Sequence, residues 1–343
     1  MRMLKTVLRK AFSIPLFVEA LSRLTNTRAT IFMLHRFSVP DVGVHGHDPG
    51  TLRQALAYLR KQRYDLISLQ DLFKRLRDGE PLRRAISFTI DDGYFDHAQV
   101  AAPIFAAFDC PVTTFLATGF IDGKTWFWFD RLRMIFDTTP RTSLRARLGN
   151  EEIVYVTDSA RSRAAAMEDL AARCKEVAES DRADCVRELA PAAAVELPAA
   201  PPRKFAPLSW DDARRAEKLG MTFGPHTVTH PILSTTPDAQ SEFEIAESWS
   251  RLSAELSRPV PVFCYPNGRS KDFGGREITT IRRLGLWGAV QGQNGETISP
   301  AAFRASETAR FEVPRFSYGD NLANMIQCSS GVATVRVRIR GGA

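Results

Sequence analysis

The sequence predicts an α/β protein whose parallel strands are laid out as a barrel. Three observations carry that reading. Apolar runs of strand length alternate with amphipathic stretches of helix length up to Ala117, a strand, helix, strand rhythm that favours parallel pairing. One run, Ala85 to Ile90, stops abruptly at Asp91-Asp92-Gly93, as a strand does at its mouth. The 343 residues, 44% of them hydrophobic, can fill the core of one large barrel domain.

Taken in order, residues 1–28 read as a basic amphipathic helix in which Lys and Arg alternate with Leu, Val and Phe. Its apolar stretch is broken by Ser13, Pro15 and Glu19, and it has no hydrophobic core or cleavage site of a signal peptide. The expectation is a cytoplasmic enzyme, this helix either touching a membrane surface peripherally or packing on its own barrel. The barrel domain spans 29–343. Ala29 to Leu34 is its first strand, Thr51 to Gln62 a helix carrying Leu52 and Leu59, and Tyr64 to Ser68 a short second strand. Ser68 caps a helix that starts at Leu69 and ends near Gly79. Ala85 to Ile90 is the next strand, His97 to Phe108 a helix despite Pro103, and Val112 to Ala117 a strand.

From about 122 to 203 the rhythm changes, which predicts a largely helical insertion. It opens with Trp126, Phe127, Trp128 and Phe129, which either pack in a core or line a sugar cleft, and continues as helix from Arg161 to Leu189. A lid, an oligomer contact and a spacer all fit that helical portion. Barrel elements resume with a helix start at Ser209-Trp210-Asp211-Asp212 and a strand, Met221 to Gly224. A helix follows from Ser241 to Leu256 with Phe243, Ala246 and Trp249 on one side, then a strand, Val262 to Tyr265, and a tight Pro266-Asn267-Gly268 turn. Ala289 to Gln291 and Phe311 to Phe316 complete the strands, and Ala333 to Arg340 reads as an exposed terminal strand without chemistry.

The chemistry sits in two segments. Asp91 and Asp92 at a strand mouth can diverge around one point, one towards a cation and one towards a water. His226 and His230, four apart, fall on one side of a helical turn, limited to a single turn by Pro231. Two histidines and a carboxylate leave coordination positions open, as catalytic sites do. Helix capping by one Asp is the plain alternative for the acidic pair. Thr227 occupies the place where a zincin protease needs Glu, and a non-haem iron site usually sets one His close to the carboxylate in sequence, unlike the spacing here. The net charge of +7 suits acidic glycans or lipids, but the arginines are scattered and no nucleic-acid module is present, which excludes nucleic acid as a partner. Five widely spaced cysteines read as reduced thiols, and no apolar run reaches the length of a membrane span.

The strings TIDDGY from Thr89, HTVTH from His226 and FCYPNG from Phe263, in that order, resemble the polysaccharide deacetylase superfamily, carbohydrate esterase family 4, with its nodulation-type chitooligosaccharide deacetylases. MLHRF from Met33 and VPRF from Val313 resemble the opening and closing strands of one bacterial branch of it, so the likeness brackets most of the chain. It implies a distorted (β/α) barrel and metal-dependent removal of N- or O-acetyl groups from a carbohydrate substrate. By that likeness Asp91 is the catalytic base, and Asp92, His226 and His230 hold a divalent cation, Zn²⁺ foremost, with Co²⁺, Ni²⁺ and Mn²⁺ as alternatives. The Asn267 N–H faces the developing oxyanion. The sequence departs from the family twice. Cys264 stands where an arginine orients the base, and Arg315 is the expected substitute. No late Leu-x-His supplies the general acid, and His35 is the expected replacement. A silent glycan-binding protein on the same fold, or an amidase or deformylase acting on a lipid-linked sugar, are the other readings. The identity of the sugar and the oligomeric state stay open.

Overall fold

A computed structural model describes residues 27–292 and 295–329. The terminal segment expected as a basic helix lies almost wholly outside the described residues, as does the expected strand Ala333 to Arg340.

Ten strands are formed among the described residues: β1 Ala29–Leu34, β2 Asp65–Leu66, β3 Ala85–Ile90, β4 Val112–Leu116, β5 Ser143–Leu148, β6 Glu151–Val156, β7 Met221–Pro225, β8 Val262–Cys264, β9 Gly288–Val290 and β10 Phe316–Ser317. All but β5 and β6 pair in parallel. The main sheet runs β10-β1-β3-β4-β7, with β2 against the first residues of β3, and β8 pairs separately with β9. Single bridges, Phe223 to Pro259 and Val290 to Val313, link the two sheets, and the chain from Val313 enters β10, back beside β1. The ring is therefore completed by isolated bridges instead of continuous ladders, which is the distortion of this barrel.

The central strands are buried on both faces, so they read as near-continuous apolar runs. In β3 the faces still differ: Ile86, Phe88 and Ile90 join a large cluster with Leu52, Leu56 and Leu59, while the buried polar Ser87 and Thr89 share the face that continues to Asp91. Those leucines lie on α1, Pro49–Lys61, whose start is capped by Asp48 accepting from the Thr51 N–H. Helix α2, Leu69–Asp78, is capped by Ser68 and closed by left-handed Gly79, as read from sequence. The segment expected as one helix from His97 is a π-helical turn, His97–Ala101, followed by α3, Ala102–Ala107. Pro103 thus falls in a first helical turn, where its missing N–H is not needed.

Helices make up most of the regular structure of the insertion, and an antiparallel hairpin not expected from the sequence is added to them. The insertion comprises α4, Trp128–Thr138, an antiparallel hairpin of β5 and β6, and helices α5, Ala160–Cys174, and α6, Glu179–Ala192. Leu144, Ala146 and Leu148 point inward while Arg145 and Arg147 point out, a period of two hidden by the Arg/Ala composition. These elements share their own core, which includes Ile135, Phe136, Leu170 and Leu189. Back on the barrel, α7 is Trp210–Lys218 and α8 is Asp238–Glu255. Helix α8 buries Ser241, Glu244, Ile245, Ser248 and Leu252, and leaves Phe243 exposed, contrary to the expected apolar side.

Candidate active site

The site lies at the carboxyl ends of the strands, where barrel enzymes place their chemistry. Asp91 still belongs to the sheet, its N–H donating to the Leu34 carbonyl at 3.0 Å. Asp92 then adopts φ 87° and Gly93 φ 99°, and this pair of left-handed residues turns the two carboxylates apart. At φ 99° a side chain on Gly93 would be strained, and its Cβ would press on Ile121 Cδ1 at 2.7 Å, so the turn favours glycine.

Arg315 is fully buried and grips Asp91 with both forks, Nη1 to Oδ1 and Nη2 to Oδ2, each at 2.7 Å. Its remaining N–H groups reach the Gln291 carbonyl at 2.6 Å, Thr89 Oγ1 at 3.0 Å and Cys264 Sγ at 3.2 Å. Burial alone would raise the Asp91 pKa, but the charge and hydrogen bonds of Arg315 outweigh it and hold the carboxyl well below the usual range. The structure thus brings Arg315 to Asp91, the residue expected as base, in the place left without arginine by Cys264.

His226 ends the β7 pairing, its N–H donating to Leu116 O. The segment that follows is a loop and not the expected helical turn: Thr227 and His230 have φ 68° and 61°. The two rings nevertheless come together, their centroids 4.8 Å apart. Glu244 from α8 ties the loop down, accepting from the Val228 and Thr229 N–H groups at 2.8 Å each and from the Thr229 hydroxyl at 2.6 Å. His226 Nδ1 donates to the Cys264 carbonyl at 2.7 Å, which leaves Nε2 as the free lone pair.

His226 Nε2 and His230 Nε2 stand 3.7 and 3.4 Å from Asp92 Oδ1. Ligands at about 2.1 Å in tetrahedral array are about 3.4 Å apart, so this donor set fits a divalent cation. Its electrostatics agree. Burial, then the neighbouring charges of Asp91 and Asp130, push the Asp92 carboxyl well above its ordinary value, so a cation there relieves a real strain. Burial lowers the His226 ring to a pKa of about 4 and, with the neighbouring His226, holds that of His230 well below its ordinary value, which keeps both neutral and able to ligate. Asp91, His226 and Cys264 also converge. That trio is a poor metal site, because Arg315 claims Asp91 and burial keeps the Cys264 thiol protonated.

His35, at the mouth of β1, has Nε2 4.0 Å from Asp91 Oδ2 and a side chain 46% exposed. Asn267 occupies φ 61° in the turn after β8, and its buried side-chain nitrogen has no partner among the described residues. A Cβ on the following Gly268 would lie 2.1 Å from the Gly292 nitrogen, so the turn is pressed against the neighbouring strand end. All seven expected residues meet at one place, and all except Arg315 line a cavity of about 490 Å³, along with Trp128 and Phe129. Of the aromatic cluster, Trp126 and Phe127 are buried and Trp128 and Phe129 face this cleft, so packing and lining are divided between them.

Sequence reasoning missed Glu244 and Asp130. Asp130 is buried, accepts from the Tyr94 hydroxyl at 2.7 Å, and is pushed by burial to a pKa of about 7. Both are acids on otherwise inward helix faces, and that misplaced charge was the available signal.

The sequence pattern of the polysaccharide deacetylase family matches residues 78–285. The chain belongs to that family. Its class of activity is therefore hydrolytic deacetylation. The match spans Asp91, Asp92, His226, His230 and Asn267, and stops short of His35 and Arg315. A search of curated proteins finds no match. Among solved structures, the chain is similar to the Streptococcus pyogenes deacetylase PplD in complex with acetate, at TM-score 0.57 and 18% identity over 88% of this chain and 98% of that one. IcaB from Ammonifex degensii aligns at TM-score 0.52 and 13% identity over 89% and 97% of the two chains. The deacetylase domain of BpsB from Bordetella bronchiseptica aligns at 0.50 and 14% over 85% and 96%. At these identities the likeness is one of fold, and it identifies the ring described above as a deacetylase-type barrel. Among the described residues no helix is long and apolar enough to cross a membrane.

Proposed function

We propose that the protein removes the acetyl group from an N-acetylated sugar of a glycan or glycolipid, using a divalent cation, Zn²⁺ foremost, held by Asp92, His226 and His230. The observation that carries this is the adjacency of two unlike arrangements: three neutral-or-anionic donors spaced for a metal, beside a carboxylate clamped by Arg315. The bound cation would supply Lewis acidity, lowering the pKa of a water and polarising the acetyl carbonyl.

The chain's own groups do the rest. Asp91, kept ionised and fixed in rotation by Arg315, accepts the proton of the attacking water. The Asn267 N–H, presented by a strained turn, donates to the oxygen on which negative charge develops. His35, the half-exposed member, gives a proton to the departing amine. Trp128 and Phe129 offer apolar faces to a pyranose ring. The five cysteines, all free and buried, favour a reducing compartment and so the cytoplasm.

Acetate release from N-acetylglucosamine oligomers and an acetylated xylo-oligomer, with and without added metal, tests the reading. Wild type should need metal, and Asp91→Asn should still bind metal while losing turnover by at least about 100-fold. Full activity in Asp91→Asn would dismiss Asp91 as the base. Metal binding without acetate release from any substrate would favour the silent glycan-binding reading.

A further inference from the structure

The lining of the catalytic cleft carries more positive charge than the reaction needs. Two basic side chains reach it from the insertion: Arg133 on α4 and Lys175, the residue that caps the end of α5. Among the described residues neither side chain makes a hydrogen bond or an ion pair. A basic residue at a helix C-terminus is ordinary, but its presence in the lining of a reaction site is not.

The acids within electrostatic reach of these two are already engaged. Asp272 accepts from Arg269 Nε at 2.9 Å, and Glu176 accepts from Arg269 Nη1 at 2.6 Å and from Lys271. Asp130, which senses Arg133, holds the Tyr94 hydroxyl, and burial raises its pKa to about 7, which weakens its charge. Among the described residues, the only carboxylates lining the cavity are Asp91 and Asp92, the first paired with Arg315 and the second reserved for a cation. Lys175 is half-buried, and burial together with the charge of Arg269 disfavours its ammonium form. An anion entering the cleft would relieve that penalty. Arg133 also lines a second cavity, of about 530 Å³, which shares His35, Asp92 and Phe129 with the first, so it stands where the two join.

Resting on the deacetylase reading above, we propose that the substrate is an anionic glycan, with a phosphate or carboxylate on the acetylated sugar or its immediate neighbour, bound by Arg133 and Lys175. The insertion then supplies the charge that selects the substrate, while the barrel supplies the chemistry.

The test compares acetate release by the full chain, loaded with Zn²⁺, from three substrates. They are a neutral N-acetylglucosamine tetramer, an oligomer alternating N-acetylglucosamine with glucuronate, and an N-acetylglucosamine oligomer joined by phosphodiesters. At low salt, kcat/KM for one of the anionic substrates should exceed the neutral one by at least about tenfold, and raised salt should erode the difference. Which anionic arm responds tells carboxylate from phosphate. The anionic-to-neutral ratio should fall about tenfold in Arg133→Gln/Lys175→Met and survive in Lys175→Arg, which controls for misfolding. A neutral substrate turned over at least as well as both anionic ones would overturn the proposal, and so would a ratio unchanged in the double variant, with the deacetylase reading intact in either case. Acetate from none of the three would overturn that reading and the proposal with it.

Discussion

Replacing Arg315 with Met strips the partner from a buried carboxylate and a hydrogen bond from a backbone carbonyl in one step. The side chain is fully buried, holds both oxygens of Asp91 at 2.7 Å and donates to the Gln291 carbonyl at 2.6 Å. Breaking a buried pair by removing one member costs about 3–5 kcal/mol, because the charge left behind is uncompensated. Loss of the hydrogen bond to the Gln291 carbonyl adds about 0.5–1.5 kcal/mol. A domain of ordinary stability has about 5–15 kcal/mol in total, so the variant should be marginal. The discriminating assay is a double-mutant cycle by urea unfolding, with chelator present, on wild type, Arg315→Met, Asp91→Asn and the double variant. With neither charge buried, the double variant should be more stable than the sum of the single effects predicts, by at least about 2 kcal/mol. Additive effects, or a loss under about 1 kcal/mol in Arg315→Met, would refute the closed ion pair that fixes the orientation of Asp91.

Three further outcomes are expected. Glu244→Ala should weaken metal binding by about 10–100-fold in calorimetric titration, since it frees the loop that carries His230, and wild-type affinity would deny Glu244 that role. His35→Ala should lower turnover by at least about 100-fold in steady-state acetate release if it is the proton donor, and unchanged turnover would remove it from the reaction. Asp130 has a folded-state pKa raised from 3.8 to about 7, so its contribution to stability is present at low pH and is lost as pH rises through about 7. Asp130→Asn should therefore flatten the fall in urea midpoint between about pH 4 and about pH 7, where wild type loses up to about 4 kcal/mol, and parallel profiles would show that Asp130 does not titrate there.

Much of the barrel was readable in the sequence because its strands are buried on both faces and bounded by caps and turns with plain chemistry. β1 and β3 fall on the expected residues, and Ser68 and Gly79 bound their helix as expected. The hairpin in the insertion is not legible from composition, because its Arg, Ala and Leu residues are helix formers that outweigh the short period-two alternation of Leu144, Ala146 and Leu148. The loop after β7 was misread for a different reason. Histidines four apart suit a helix, but Thr227 and His230 take left-handed dihedrals that only tertiary contacts sustain, chiefly the grip of Glu244 from a helix downstream. Arg315 could be proposed only because the motif containing Cys264 lacks its arginine. Its convergence on Asp91 depends on a ring closure linking residues 224 apart in the chain.

That closure has an architectural consequence. The last turn of the ring rests on the single bridge from Val290 to Val313 and on two residues of β10, and Arg315 lies between them. The guanidinium that clamps Asp91 is also a rivet across one of the ring's two bridged seams, reaching β3 through Thr89 and Asp91 and the β9 side through Gln291. Sealing the cylinder and fixing the Asp91 carboxylate are then one event, so a chain with an open seam is also a chain whose Asp91 is not yet held in place.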